Sequence, residues 1–333
     1  MFTTISVIIP VKPGDEDPRA LEYLEAADYP DESIEIIVVS GNNPPLQRNK
    51  AARMAKGEIL YFFNADVQVP PDIFRKVTKI FNSRQGIAGI GGPDLTPAGN
   101  NRLQHLFGLA MASFFAHWKM RARYLQLGRE RLSDERELLL SNTAIRRDVF
   151  LKFEGFNGKL YPNEENELIN RMCKAGHRFV YSPELKIYRD RRATLGGFLR
   201  QFFRYGQGRA SQIFIEGARG NLQFLMPLFL LTYLFILPLI KGLAVSFGPL
   251  FMYLLLGVAD AIYCGCQNKN IFAPALPFLY MMMHISYAAG MCSRIILSGR
   301  KIRPLQSEEE MSVTVKKPIG QSPEPAPSWA RNS

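Results

Sequence analysis

The chain is poor in cysteine, with 4 in 333 residues. Cys173, Cys264, Cys266 and Cys292 make no paired framework, which argues against a disulfide-stapled secreted scaffold and fits a reducing compartment. Cys264-Gly265-Cys266 lacks the second cysteine pair or the histidines of a zinc site, so it reads as helix packing. Zinc-finger spacing is missing, as is an aromatic RNA-binding signature. At Met1-Phe2-Thr3-Thr4 there is no basic region followed by an apolar run, so no signal peptide is expected. No internal repeat is visible. Acidic residues are outnumbered, 30 against 41 Lys and Arg, for a formal charge of +11. That balance suits nucleic acid, an anionic membrane or phosphorylated substrates. The basic residues cluster at 119–136, 186–209 and 294–303, beside or between apolar stretches. This placement favours a lipid surface and no nucleic acid partner.

What is present alternates short apolar runs with helical patterns over residues 4–216. "ISVIIPV" (5–11), "IEIIVVS" (34–40), "EILYFF" (58–63) and "IAGIGG" (87–92) read as buried strands. "RALEYLEAA" (19–27), "LQRNKAARMAKG" (46–57) and a segment opened by Pro70-Pro71 read as helices between them. The alternation predicts a doubly wound α/β sheet with a Rossmann-like layering, whose ligands bind beyond the carboxyl ends of the strands. Asp66 lies just past one such end, an expensive place for a bare carboxylate unless it faces a cleft.

Farther on the chain turns apolar. Residues 102–125 and 197–217 are aromatic and basic, and each reads as an amphipathic helix, expected at a membrane interface or equally as an ordinary core helix. Three runs, about 222–240, 243–263 and 272–297, are long enough to cross a bilayer. Three crossings from a cytoplasmic domain place "RKIR" (300–303) outside, against the positive-inside tendency, whereas a re-entrant segment leaves two spans. The expected organisation is a catalytic domain over 1–217, a membrane region over 218–299 and a disordered Pro- and Ser-rich tail over 304–333.

The order of "ISVIIPV", "QRNKAARMAKGEILYFFNAD", "LSNTAIRRDVFLKFEGFNGKLYPNEENELINR" and "RQFFRYGQGRA" before membrane helices resembles family 2 glycosyltransferases with the GT-A, or nucleotide-diphospho-sugar transferase, fold. It is similar in particular to membrane-anchored exopolysaccharide glucosyltransferases of the succinoglycan type. The resemblance covers about 5–297. It implies an inverting enzyme that moves a sugar from a nucleotide-diphosphate donor to a polyprenyl-linked saccharide, with the catalytic domain on the cytoplasmic side of a multi-pass inner-membrane protein. The alternative is a relative without activity that binds or scaffolds.

Asn64-Ala65-Asp66 occupies the place of the family's D-x-D motif, so Asp66 is the expected ligand of Mg²⁺ or Mn²⁺ beside the donor diphosphate. Asn64 departs from the family and offers the metal less. In "YPNEENELINR", Asn163 reads as an N-cap, and Glu164 and Glu165 suit a first helical turn. The family implies that one of them is the general base; Glu165 is favoured over Glu164, which is left to position it. Gln201, Arg204 and Tyr205 match the family's Q-x-x-R-W, with Tyr for Trp: Gln201 and Arg204 on the donor side, Tyr205 at the acceptor. The resemblance further places Pro10, Ser40, Asn42, Arg48, Asn49 and Asp94 on the donor side, and Asn142 and Arg146 on the acceptor side. Ser40 and Asn42 stand where the family carries an acid for the nucleotide base.

Overall fold

A computed structural model of the chain describes residues 2–217, 222–240, 244–297, 310–317 and 319. The first strand, β1 (Ile5–Val11), is buried along nearly its whole length, as a strand covered on both faces must be. After helix α1 (Ala20–Glu25), β2 (Ile34–Ser40) pairs with β1 in parallel, Ile5 opposite Ile34. Helix α2 (Pro44–Met54) begins on prolines and is capped by Asn43. It leads to β3 (Ile59–Phe62), parallel to β1 on the other side, Ile5 opposite Ile59. Short β4 (Val67–Gln68), helix α3 (Ile73–Ser83), β5 (Ile87–Gly91) and short β6 (Asp94–Leu95) follow.

The expectation of one amphipathic helix over 102–125 is corrected. The segment is α4 (Arg102–Ala112), α5 (Phe114–His117) and a 3₁₀ stretch to Arg123. The break is at Ser113, whose hydroxyl accepts from Ala116 N–H and donates to Asp260 of a later apolar helix. Next come β7 (Arg131–Ser133), β8 (Thr143–Arg146), α6 (Arg147–Lys152), α7 (Glu164–Lys174), β9 (Arg178–Tyr181), β10 (Ile187–Arg189) and the long α8 (Leu195–Glu216).

Helices α9 (Met226–Ile240), α10 (Gly248–Asn268) and α11 (Leu276–Ile296) belong to three segments long and apolar enough to cross a membrane: Leu222–Ile240, Gly248–Asn268 and Ala273–Ile296. The second lies about five residues later than the sequence suggests, because Gly248-Pro249 opens it. The disordered tail is also corrected, within the described residues, by β11 (Ser312–Lys317), which pairs antiparallel with β2. The rest of 304–333, apart from residues 310, 311 and 319, lies outside the described residues.

The main sheet therefore runs β11-β2-β1-β3-β8-β5-β9-β7, and β4-β10-β6 form a small second sheet. One apolar core, with Ile5, Val7 and Ile9, packs under α1 and α3. The other face, with Ile8, Ile37 and Leu60, packs against α2, α6 and α7. A third core joins α4 and α8 to α10 and α11 through Phe107, Phe198, Ala261 and Tyr280. The α8–α11 crossing is close: a Cβ on Gly206 would overlap the Tyr287 carbonyl, and one on Gly290 the Phe203 carbonyl.

Candidate active site

β3 ends at Phe62, and the Phe63 N–H still bonds to the Ile8 carbonyl of β1. The chain then leaves the sheet, so Asn64 and Asp66 fall just beyond the strand end, as the alternation predicts. β4 pairs antiparallel with β10, Val67 opposite Arg189. This register sets the Arg189 Nε 2.8 Å from Asp66 Oδ1. Asp66 keeps 48% of its side-chain surface open, so a second oxygen remains for a ligand.

Two further elements converge here. From α2, Arg48 donates through Nη1 to Glu164 Oε1 at 2.9 Å and through Nη2 to Asn64 Oδ1 at 3.1 Å. The Arg48 and Glu164 side chains are only 4% and 3% exposed. One guanidinium thus ties the strand-end position to the first acid of α7, and Asn64, with its acceptor oxygen taken, is left with an N–H₂ to offer. Burial and the adjacent Glu165 push the Glu164 carboxyl above the ordinary glutamate range, with Arg48 pulling the other way. Glu165 has no hydrogen-bond or ion-pair partner among the described residues, and it lines the main cavity.

Asn163 precedes α7 in a left-handed conformation (φ 87°). Its expected role as a side-chain N-cap is corrected, because its amide donates to Gln212 of α8 at 3.3 Å. Asn170 bonds Glu216 at 2.6 Å, so α7 is docked along α8 at both ends. Arg171 pairs with Glu167 at 2.8 Å and also holds the carbonyls of Phe153 and Gly155.

The cavity measures about 970 Å³. Its polar end carries Arg48, Asn64, Glu164, Glu165 and Arg189; α8 adds Gln201, Arg204 and Tyr205 to the wall. Gln201 donates to the Tyr205 hydroxyl at 2.8 Å and accepts from Arg192 at 3.0 Å, which fixes the tyrosine ring. The far end is apolar and aromatic, built from residues such as Phe229 and Tyr233 of α9, Tyr253 of α10 and Met283 of α11.

Several expected site residues are not brought to this cavity. Asn49 spends both polar atoms on the Phe156 backbone, at 2.7 and 2.9 Å, pinning the loop before α7. Asn142 is fully buried, accepts from Tyr61 at 2.6 Å and donates to the carbonyls of Leu185 and Pro93, so it is a core bracket and not an acceptor contact. Arg146 sits at the opposite end of the sheet, beside Ile59, donating to the Ile87 carbonyl and lying over Phe81. Asp94 is 1% exposed behind Arg189 and Arg191, and burial pushes its carboxyl up, so it braces those arginines and does not reach a donor sugar. Ser40 is buried opposite Ser312 of β11; Pro10 and Asn42 lie outside the cavity wall.

Arg189 is the residue sequence reasoning missed. It lies 123 positions from Asp66, and "YRDRR" reads only as basic charge until the β4–β10 register is known. No group of three or more His, Cys, Asp or Glu side chains able to hold a metal occurs among the described residues. The half-open Asp66 carboxylate is a hard oxygen donor. It fits a cation such as Mg²⁺ or Mn²⁺ that takes most of its ligands from water and a diphosphate.

A mixed α/β sheet with a strand-end acid, an acidic helix start and a cavity against apolar helices defines a GT-A glycosyltransferase fold. Residues 3–208 match the family described as glycosyltransferase like family 2, and the chain belongs to that family; it is a transferase. It is 24% identical over 163 residues to the succinoglycan biosynthesis protein ExoA of Rhizobium meliloti (strain 1021), covering 48% of this chain and 49% of that protein. The chain thus matches about half the length of that relative. Its fold is similar to that of the mannosyltransferase PcManGT from Pyrobaculum calidifontis, solved with GDP-Man and Mn²⁺. That likeness has a TM-score of 0.55 and 13% identity, over 89% of this chain and 88% of that one.

Proposed function

We propose that this enzyme transfers a sugar, with inversion, from a nucleotide-diphosphate donor to a hydroxyl of a lipid-linked saccharide, in surface polysaccharide or glycolipid assembly. The catalytic domain works at the cytoplasmic face of the inner membrane. The observation that carries the reading is Glu165, without a partner among the described residues, in a cavity with two unlike ends. One end holds Asn64 and Arg189, with Asp66 behind; the other is an aromatic wall from α9 to α11. The name of the succinoglycan relative supports the polysaccharide setting.

Glu165 takes the proton of the acceptor hydroxyl as that oxygen attacks the anomeric carbon, and the nucleotide departs with the bonding electrons. Glu164, clamped by Arg48, fixes the start of α7 and so aims Glu165. Arg48, Arg189 and Arg204 supply positive charge to the diphosphate. Asp66 would hold a divalent cation, whose charge would offset that of the leaving diphosphate. Asn64 donates its amide to the donor, and the Tyr205 ring offers a face to the acceptor sugar.

The test is release of nucleoside diphosphate by the full chain in lipid, across nucleotide sugars, with Mg²⁺ or Mn²⁺ and a polyprenyl-linked glycan. Glu165→Gln is expected to lose about 10²–10⁴-fold in turnover. Asp66→Ala is expected to remove the response to metal. Full activity in Glu165→Gln with loss only in Glu164→Gln would move the base by one residue. Donor binding without turnover for any acceptor would favour a scaffold.

A further inference from the structure

Arg209 of α8 is 1% exposed, yet its Nε and Nη1 have no hydrogen-bond partner among the described residues. Its guanidinium lies 3.6 Å from the centre of the Phe224 ring, and the Tyr287 hydroxyl is a close polar neighbour. A second buried guanidinium, Arg123, 4% exposed, shares its electrostatic surroundings. Arg123 bonds Asn166 and the carbonyls of Glu135 and Arg136, all neutral acceptors. Arg136 is itself paired with Asp134, which leaves Glu135 as the nearby carboxylate for two buried cations. Buried charge without matching counter-charge is costly and points to an anion supplied from outside.

The position says which anion. Arg123 and Arg209 both line the cavity. On one side of Arg209, Gly208 abuts the Pro162 carbonyl and Gln212 bonds Asn163, just before Glu164 and Glu165. On the other side, Phe224 stands at the entry to the apolar helix α9. We propose that Arg209 and Arg123 form a phosphate subsite at the junction of the polar and apolar ends, taking the phosphate that links the acceptor's lipid to its sugar. This rests on the lipid-linked acceptor reading above. Phe224 lies over one face of the guanidinium, and the phosphate oxygens would accept from the Nε and Nη1 donors.

The experiment is thermal unfolding and native mass spectrometry of the full chain with a polyprenyl phosphate, the matching polyprenol, phosphatidylglycerol and inorganic phosphate. The phosphorylated polyprenyl chain is expected to bind and raise Tm, and the polyprenol to do neither. Arg209→Met is expected to raise the Tm of the ligand-free protein, since it removes a buried cation that shares a single carboxylate with Arg123, and to weaken polyprenyl phosphate binding at least about tenfold. Arg209→Lys is expected to keep part of the binding. Unchanged binding in Arg209→Met, or equal binding of polyprenol, overturns the subsite. An equal response to phosphatidylglycerol or inorganic phosphate, lost in the same variant, assigns the pair to bilayer headgroups or free phosphate and overturns the acceptor assignment. Because binding is read without turnover, failure of the base assignment at Glu165 leaves this result interpretable.

Discussion

At the residue scale the site is organised around a buried ion pair, and such pairs are felt most when one partner is removed. Above about pH 8, where Glu164 is ionised, Arg48→Met is expected to destabilise the protein by about 3–5 kcal/mol, because it leaves that carboxylate beside Glu165 without a counter-charge. Adding Glu164→Gln is expected to recover most of that loss; denaturant unfolding of the single and double variants measures the coupling. Glu164 also makes a pH prediction. Its folded pKa is raised, so between the ordinary glutamate value and the raised one the native state holds more protons than the unfolded chain. Stability must then fall as pH rises. The Tm of the wild type, relative to Glu164→Gln, is expected to drop from about pH 5 to about pH 8. The strand end and the acidic helix start were legible in the sequence, because a carboxylate after a buried strand and acids at a helix N-terminus are local signals. Asn49, Asn142, Arg146 and Asp94 were not, since their side-chain directions depend on partners such as Phe156, Tyr61, Ile87 and Arg191. Arg189 needed a strand pairing that no local pattern announces.

At the scale of elements, the crossing of α8 and α11 depends on glycines that let the backbones touch. Gly206→Val or Gly290→Val is expected to cost at least about 1–3 kcal/mol and to lower transfer activity, since α8 carries both Tyr205 and Arg209. Thermal unfolding and donor turnover of the two variants check this. The parallel β1–β3 core was legible because its strands are near-continuous apolar runs. β11 was hidden: "SVTVKK" is a six-residue alternation inside a polar tail, and it becomes a strand because the β2 edge offers unpaired backbone groups. Met311 is buried in the core beside it, and Lys316 reaches Asp17 at 2.7 Å. Val313→Asp is expected to lower Tm by a few degrees and to promote association through the uncovered β2 edge, read by light scattering during unfolding.

At the scale of the whole molecule, the α/β domain and the apolar helices share one cavity, and the sequence shows both halves without showing that they meet. Apolar length is enough to mark a candidate span, whereas the third core forms from residues as far apart as Phe107 and Tyr280. β11 carries a consequence for how the chain threads a bilayer. Strands β2 and β11 lie in one sheet, so they lie on one side of the membrane. If the apolar helices enter a bilayer, the chain between these strands crosses it an even number of times, and three helices cannot all cross. The windows of the first two apolar segments are 6% and 17% buried inside the protein, and that of the third is 39%. The third, with α11 seated along α8, is therefore the one expected to stay at the face it started from. A Val315→Cys variant in a cysteine-free background is expected to react with an impermeant maleimide from the same face of the membrane as a Glu32→Cys variant just ahead of β2. Labelling from the opposite face would mean an odd parity, and β11 would have to leave the sheet.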